Sequence, residues 1–184
     1  MTKHSTCMCG VSKVLKIWKE QEDDTSPRCS IYEEATHIWT CQSPSNRAIW
    51  DQRLMGLKEW LIKKETDPDL TLAIISGLRH WISPCDPLAE LSEGAAWIYH
   101  LQEEIGWNNF LEGFHHKAWQ DMQKKYYHDI RSLKSGKTWN IALIQELWAL
   151  GKALLTDRNE VMHAHTNIAT ECCARRCLLS TGDS

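Results

Sequence analysis

The chain has 184 residues, 42% of them hydrophobic and 24% charged, enough apolar material for one globular domain with at most a small appendage. With 21 Lys plus Arg against 24 Asp plus Glu, the net charge of -3 excludes a basic coat that would wrap nucleic acid from all sides. The eight Cys are too few to establish a disulfide scaffold by number, the polar start from Met1 to Gly10 lacks the apolar h-region of a secretory signal, and no run approaches the roughly 18 apolar residues a spanning helix needs. A nuclear or cytoplasmic protein is therefore expected, with cysteines present as thiols or metal ligands.

In chain order, Val11, Val14, Leu15 and Trp18 suggest a short helix, followed by an acidic, solvated turn over residues 20–27. Ser45 is expected to cap a helix whose apolar face is Trp50, Leu54, Leu57 and Leu61. Asp67-Pro68 is a start signal, since Asp caps and Pro fits the first helical position, and Leu70, Ile74, Leu78 and Trp81 form the next stripe. Asp86-Pro87 repeats that signal ahead of Leu88, Leu91, Ala95, Ile98 and Ile105. Gly106 ends or interrupts that helix, and Trp107, Phe110, Phe114, Ala118 and Met122 continue at helical spacing. Residues 131–137 read as a basic turn before a last helix from about Thr138 to His165, with Ile141, Ile144, Trp148 and Leu155 on one face.

No segment alternates as a half-buried strand does. The expected fold is all-α: an irregular bundle of about five helices with a small N-terminal Cys/His knuckle. The expected division is a knuckle over residues 1–45, a helical domain over 46–165 and a flexible tail over 166–184. Trp50, Trp81, Trp107 and Trp148 read as core, whereas Trp39 reads as more exposed and able to pack over the knuckle.

Chemistry concentrates in residues 26–41, where Cys29, His37 and Cys41 have the spacing Cys-x7-His-x3-Cys. Thiolate and imidazole are the ligands Zn2+ prefers, and a closed structural site takes four. His37 and Cys41 lie one helical turn apart and can face one ion. A knuckle this small would need the metal to fold. The fourth position, where a Cys-x-x-Cys pair would put a thiol, is Ser26; Cys9 or Cys7 can substitute. The alternative on spacing alone is that Cys29 and Cys41 are small hydrophobes and His37 a surface residue.

A second candidate surface lies between Lys117 and Lys137. Lys117, Lys124, Lys125, Arg131, Lys134 and Lys137 outnumber Asp121 and Asp129, and Trp119, Tyr126 and Tyr127 interleave with them. Cations neutralise phosphates and aromatics stack on unpaired bases; the plainer alternative is a solvated helix face over core aromatics. Ser135-Gly136-Lys137-Thr138 invites a phosphate loop, but position 131 is Arg where that loop needs Gly, and a helix precedes. His115-His116 point about 100° apart on a helix and suit surface or capping roles. Arg158 suits a helix C-terminus and could pair with Glu104 or Glu112. Cys172, Cys173 and Cys177 carry no fixed geometry.

On Pro27, Cys29, Glu33 or Glu34, His37, Cys41 and Trp50, the stretch resembles the zinc-binding region at the C-terminus of reverse transcriptases from non-LTR retrotransposons. That family carries Cys where this chain has Ser26. Arg158-Asn159 followed by Glu160, Val161, Met162 and His163 is similar to the family's helical tail, and residues 105–110 and 135–139 are similar to transposon-associated proteins of unknown role. The resemblance implies a non-catalytic accessory region that contacts RNA or DNA. A polymerase needs clustered carboxylates for two Mg2+ ions, and the adjacent pair Asp23-Asp24 sits in a polar turn. Structural Zn2+ on Cys29, His37, Cys41 and Cys9 is thus expected, with phosphate contacts from Lys124, Lys125, Arg131, Lys134 and Lys137, and no enzyme activity. A metal-free helical interaction module is the alternative.

Overall fold

A computed structural model describes residues 24–84 and 91–180, the last stretch from 163 as backbone. The possible helix over residues 11–18, the ligand candidates Cys7 and Cys9, and the Asp86-Pro87 signal lie outside the described residues. Among the described residues there are helices and no strand: α1 (His37–Thr40), α2 (Pro44–Lys63), α3 (Pro68–Ile82), α4 (Glu93–Ile105), α5 (Trp107–Glu112), α6 (Lys117–Asp129) and α7 (Gly136–Ser180). The all-α expectation holds. No helix in the described residues is long and apolar enough to cross a membrane. The chain divides into two compact units, one of Met1–Asn46 with Ala153–Ser184 and one of Arg47–Lys152.

The second unit is built by the stripes. Trp50, Leu54, Leu57 and Leu61 of α2 are buried, as are Leu70, Ile74 and Leu78 of α3. Asp67 accepts from the Asp69 N–H at 2.8 Å and Pro68 opens α3, as the sequence implied. Helix α2 begins earlier than expected: the Asn46 N–H donates to Ser43 Oγ at 3.3 Å, so Ser43 caps it ahead of Pro44. Helix α4 starts at a Ser92 cap that accepts from Ala95 N–H.

The stretch expected to run on from Trp107 through Met122 is two helices, because Gly113 takes φ +98° and ends α5. The Gly113 N–H donates to Phe110 O at 3.0 Å and the Phe114 N–H to Asn109 O at 2.9 Å, the paired bonds of a Schellman cap. Phe114 is consequently exposed rather than core. The Gln102 side chain fills the break: it accepts from Trp119 Nε1 at 3.0 Å and His116 N at 3.1 Å, and donates to Phe114 O at 3.2 Å. Around it Tyr99, Trp107, Phe110 and Trp119 form a chain of rings with centroids 5.2–5.4 Å apart. A Cβ on Gly77 would overlap the Trp107 indole, so glycine is what lets that ring lie on α3.

The expected face of the last helix is corrected. Trp139, Leu143, Leu147, Leu150 and Leu154 are buried, while Ile141 and Trp148 are about half exposed. Both stripes have helical spacing, and the one that Trp139 opens and four leucines continue is the one buried. Trp148 instead lies at the surface with its indole N–H donating to Glu112 O at 3.3 Å.

Candidate metal centre

In the first unit a short loop delivers Cys29. Thr25 and Tyr32 form an isolated antiparallel bridge. The Ser26 N–H donates to Ile31 O at 2.7 Å, the Ser30 N–H donates back to Ser26 O at 2.8 Å, and Ser30 takes φ +58° at the tip. Helix α1 then presents His37, and the Cys41 N–H closes its last turn on His37 O at 2.9 Å. The Cys29 and Cys41 sulfurs and a His37 ring nitrogen all lie within 4.8 Å of one another, with Cys29 Sγ 3.1 Å from His37 Nε2. Tetrahedral zinc with Zn–S of about 2.3 Å sets sulfurs roughly 3.8 Å apart, so small side-chain adjustments seat an ion. The three residues can hold a metal, and it is the one such Cys/His/Asp/Glu group among the described residues.

The electrostatics favour thiolate. Burial raises the Cys41 pKa, but hydrogen bonds from His37 and Ser43 and the charge of Arg28 outweigh it and bring the thiol to about 6. A thiol that ionises below neutrality is ready for a divalent ion.

Sequence reasoning missed what supports this site. Buried Asn46 donates to Cys41 O at 2.7 Å and accepts from Arg28 Nη1 at 2.7 Å. Arg28, its side chain almost fully buried, also reaches Asp157 at 3.3 Å and Ile38 O at 3.4 Å. The sequence offered Glu104 or Glu112 as partners for Arg158; the described ion pair is with another acid. Arg158 pairs with Glu33, its Nη2 donating at 2.6 Å and its Nε at 3.2 Å to each oxygen, with the side chains 2% and 0% exposed. Two residues noted separately in the sequence, an acid between Cys29 and His37 and the Arg of the helical tail, thus form one ion pair. Trp39 is buried, not exposed, because α1 lies with Ile38 and Trp39 both turned inward. Ser26 is buried, and its hydroxyl accepts from the Arg28 N–H at 3.4 Å. Cys9, expected as fourth ligand, is outside the described residues.

The basic turn belongs to the second unit. Lys124, Lys125, Arg131, Lys134 and Lys137 are all exposed. Lys134 is held by Glu65 at 2.8 Å, and the other four make no ion pair among the described residues. The interleaved Trp119 and Tyr127 are buried and so belong to the core. Gly136 has a close-approach role: a Cβ there would lie 2.6 Å from Gln120 O and 3.0 Å from Lys124 N, so α7 begins directly against the α6 backbone. With α6 and a turn ahead of it, Ser135-Gly136-Lys137-Thr138 is a helix start, not a phosphate loop. His116 caps α6, accepting from the Ala118 N–H at 3.1 Å, while His115 stacks on Phe110 at 4.3 Å. No family model, curated protein or solved structure matches the chain.

Proposed function

We propose that the chain is a non-catalytic, nucleic-acid-associated zinc protein. The observation that carries this is the convergence of two sulfurs and an imidazole nitrogen in one small unit. Zinc is the metal favoured, because mixed thiolate and imidazole donors suit it and it asks for no redox chemistry. Cys29, His37 and Cys41 supply three ligands and Cys9 the fourth. The ion closes the 26–41 loop, which has little core of its own. Phosphates are met by the exposed Lys124, Lys125, Arg131 and Lys137, with Lys134 fixed beside them. The resemblance to retrotransposon reverse-transcriptase tails supports RNA or DNA as the partner.

Salt-dependent binding to single-stranded RNA and DNA tests the partner. Lys124→Ala with Lys125→Ala is expected to weaken binding and to lower the salt slope by roughly 0.7–0.9 per lysine. An unchanged slope refutes the assigned surface. The buried Glu33–Arg158 pair favours a second reading, a metal-free helical interaction module, since it joins the loop to α7 without an ion. That reading requires full helicity and an unchanged melting temperature in chelator.

A further inference from the structure

The basic turn carries an apolar tip. Leu133 is 104% exposed and Ile130 42% exposed, in a segment where Arg131, Lys134 and Lys137 flank them and Lys124 lies against the start of α7. An isolated exposed leucine on a loose loop would mean little. This one is held in place. The Arg131 N–H donates to His128 O at 3.1 Å and the Ser132 N–H to Tyr127 O at 2.8 Å, a Schellman cap with Arg131 in the left-handed position at φ +54°. Ser132 Oγ donates to Glu65 at 3.3 Å and Lys134 Nζ binds the same carboxylate at 2.8 Å. Glu65 is itself at the left-handed position of a second Schellman cap, with its N–H on Ile62 O at 2.9 Å and the Thr66 N–H on Leu61 O at 3.0 Å. Two helix ends therefore brace one another, and Leu133 stands out from the brace.

We propose that Leu133, with Ile130 behind it, is a wedge that enters between stacked bases of a polynucleotide while Lys124, Lys125, Arg131 and Lys137 hold the flanking phosphates. The proposal rests on the nucleic-acid reading above and adds the mode of contact. Charge complementarity selects an anionic partner: exposed Arg131, Lys134 and Lys137 adjoin the tip along the chain and Lys124 and Lys125 lie on the helix that leads into it, while the Glu65 carboxylate is taken by Lys134, and Asp129 lies 3.4 Å from His128. Aliphatic side chains inserted at base steps, with basic groups on the adjacent backbone, are a recurrent way of unstacking nucleic acid. Stacking on Trp119 or Tyr127 is not open to this surface, since both are buried. A bilayer is the less favoured partner, because one full and one partial aliphatic side chain fall below even the marginal anchoring of a single acyl chain. A braced turn presents the wedge already ordered, which limits the entropy lost on binding.

The test uses the full chain with 2-aminopurine-labelled single-stranded and duplex oligonucleotides, and with vesicles containing phosphatidylserine. Wild type is expected to bind and to raise 2-aminopurine emission by unstacking the probe. Leu133→Ala should abolish the rise and weaken binding roughly 10-fold while leaving the salt slope intact. Leu133→Met should retain both effects. Because Leu133 touches solvent on all sides, Leu133→Ala should keep the wild-type helicity and melting temperature, so a loss is not one of folding. If Leu133→Ala binds and brightens like wild type while the Lys124/Lys125 variant loses affinity, the wedge is overturned and the nucleic-acid reading stands. If wild type binds no oligonucleotide, both fall. Vesicle binding lost in Leu133→Ala, with no change in 2-aminopurine emission, overturns the wedge in favour of a lipid surface.

Discussion

Replacing Glu33 with glutamine keeps the shape of the site and removes the negative charge that faces a buried guanidinium. Arg158 directs Nε at both Glu33 oxygens at 3.2 Å and Nη2 at one of them at 2.6 Å, and neither side chain is more than 2% exposed. The amide of Glu33→Gln would keep one acceptor oxygen and turn an NH2 donor toward the guanidinium. The hydrogen bonds lose their charge assistance, and the guanidinium loses the negative charge that faces it, while Nη1 keeps its contact with Asn159 Oδ1 at 3.2 Å. Removing one member of a buried pair costs about 3–5 kcal/mol. At roughly 2–4 °C per kcal/mol for a chain of this size, the melting temperature should fall by about 6–20 °C. Urea unfolding followed by tryptophan emission gives the free energy directly. Glu33→Leu combined with Arg158→Leu should recover most of the loss, because the desolvation of both ions disappears with the ions. Glu33→Gln within about 1 kcal/mol of wild type would refute the pair as a closed, water-free contact.

Gly77→Ala forces a methyl into the Trp107 indole and should destabilise by about 1–3 kcal/mol or more, with partial rescue by Trp107→Phe, as chemical denaturation would measure. Arg131→Gly should act in opposite directions on two assays. It relieves the left-handed strain at φ +54° and raises stability by roughly 0.5 kcal/mol, yet removes a cation and weakens oligonucleotide binding. Burial holds the His115 pKa below the ordinary imidazole value of 6.5, opposed by contacts with Asn140 and Phe110. A depressed histidine favours the neutral folded form, so its contribution is present above 6.5 and declines as pH falls below that value, where the unfolded chain binds the extra proton. Stability measured from about pH 7.5 to 5 should fall less steeply in His115→Gln than in wild type.

The legible parts of the fold were those set by local grammar. Asp67-Pro68 starts a helix because a carboxylate and a ring with no N–H suit that end whatever packs later. The α2 stripe has one apolar face, and the chain buries it. The last helix offers two apolar stripes, and only the shape of the partner helices selects Trp139, Leu143 and Leu147 over Ile141 and Trp148. Ser43 and Ser45 both stand near the start of α2 as possible caps, and residue type alone does not decide between them. Gly113 carries no mark that separates a left-handed cap from a tolerated helical glycine, so one helix was expected where the chain breaks.

At the candidate site the ligand trio was legible from residue type and spacing. The network that holds it was not, because the Arg28–Asp157 and Arg158–Glu33 contacts join positions 129 and 125 residues apart. Glu33 and Arg158 each stand out as charged residues, but the sequence gives no reason to join positions 125 residues apart.

The convergence of Cys29, His37 and Cys41 is tested most directly by cobalt titration of the full chain followed by absorbance, with zinc as competitor. One equivalent of Co2+ should give thiolate-to-metal charge transfer with tetrahedral d–d bands, displaced stoichiometrically by Zn2+. Cys29→Ser and Cys41→Ser should each lose part of the charge-transfer intensity. A chain that takes up no cobalt, or whose bands are indifferent to both substitutions, would contradict a metal held between these side chains.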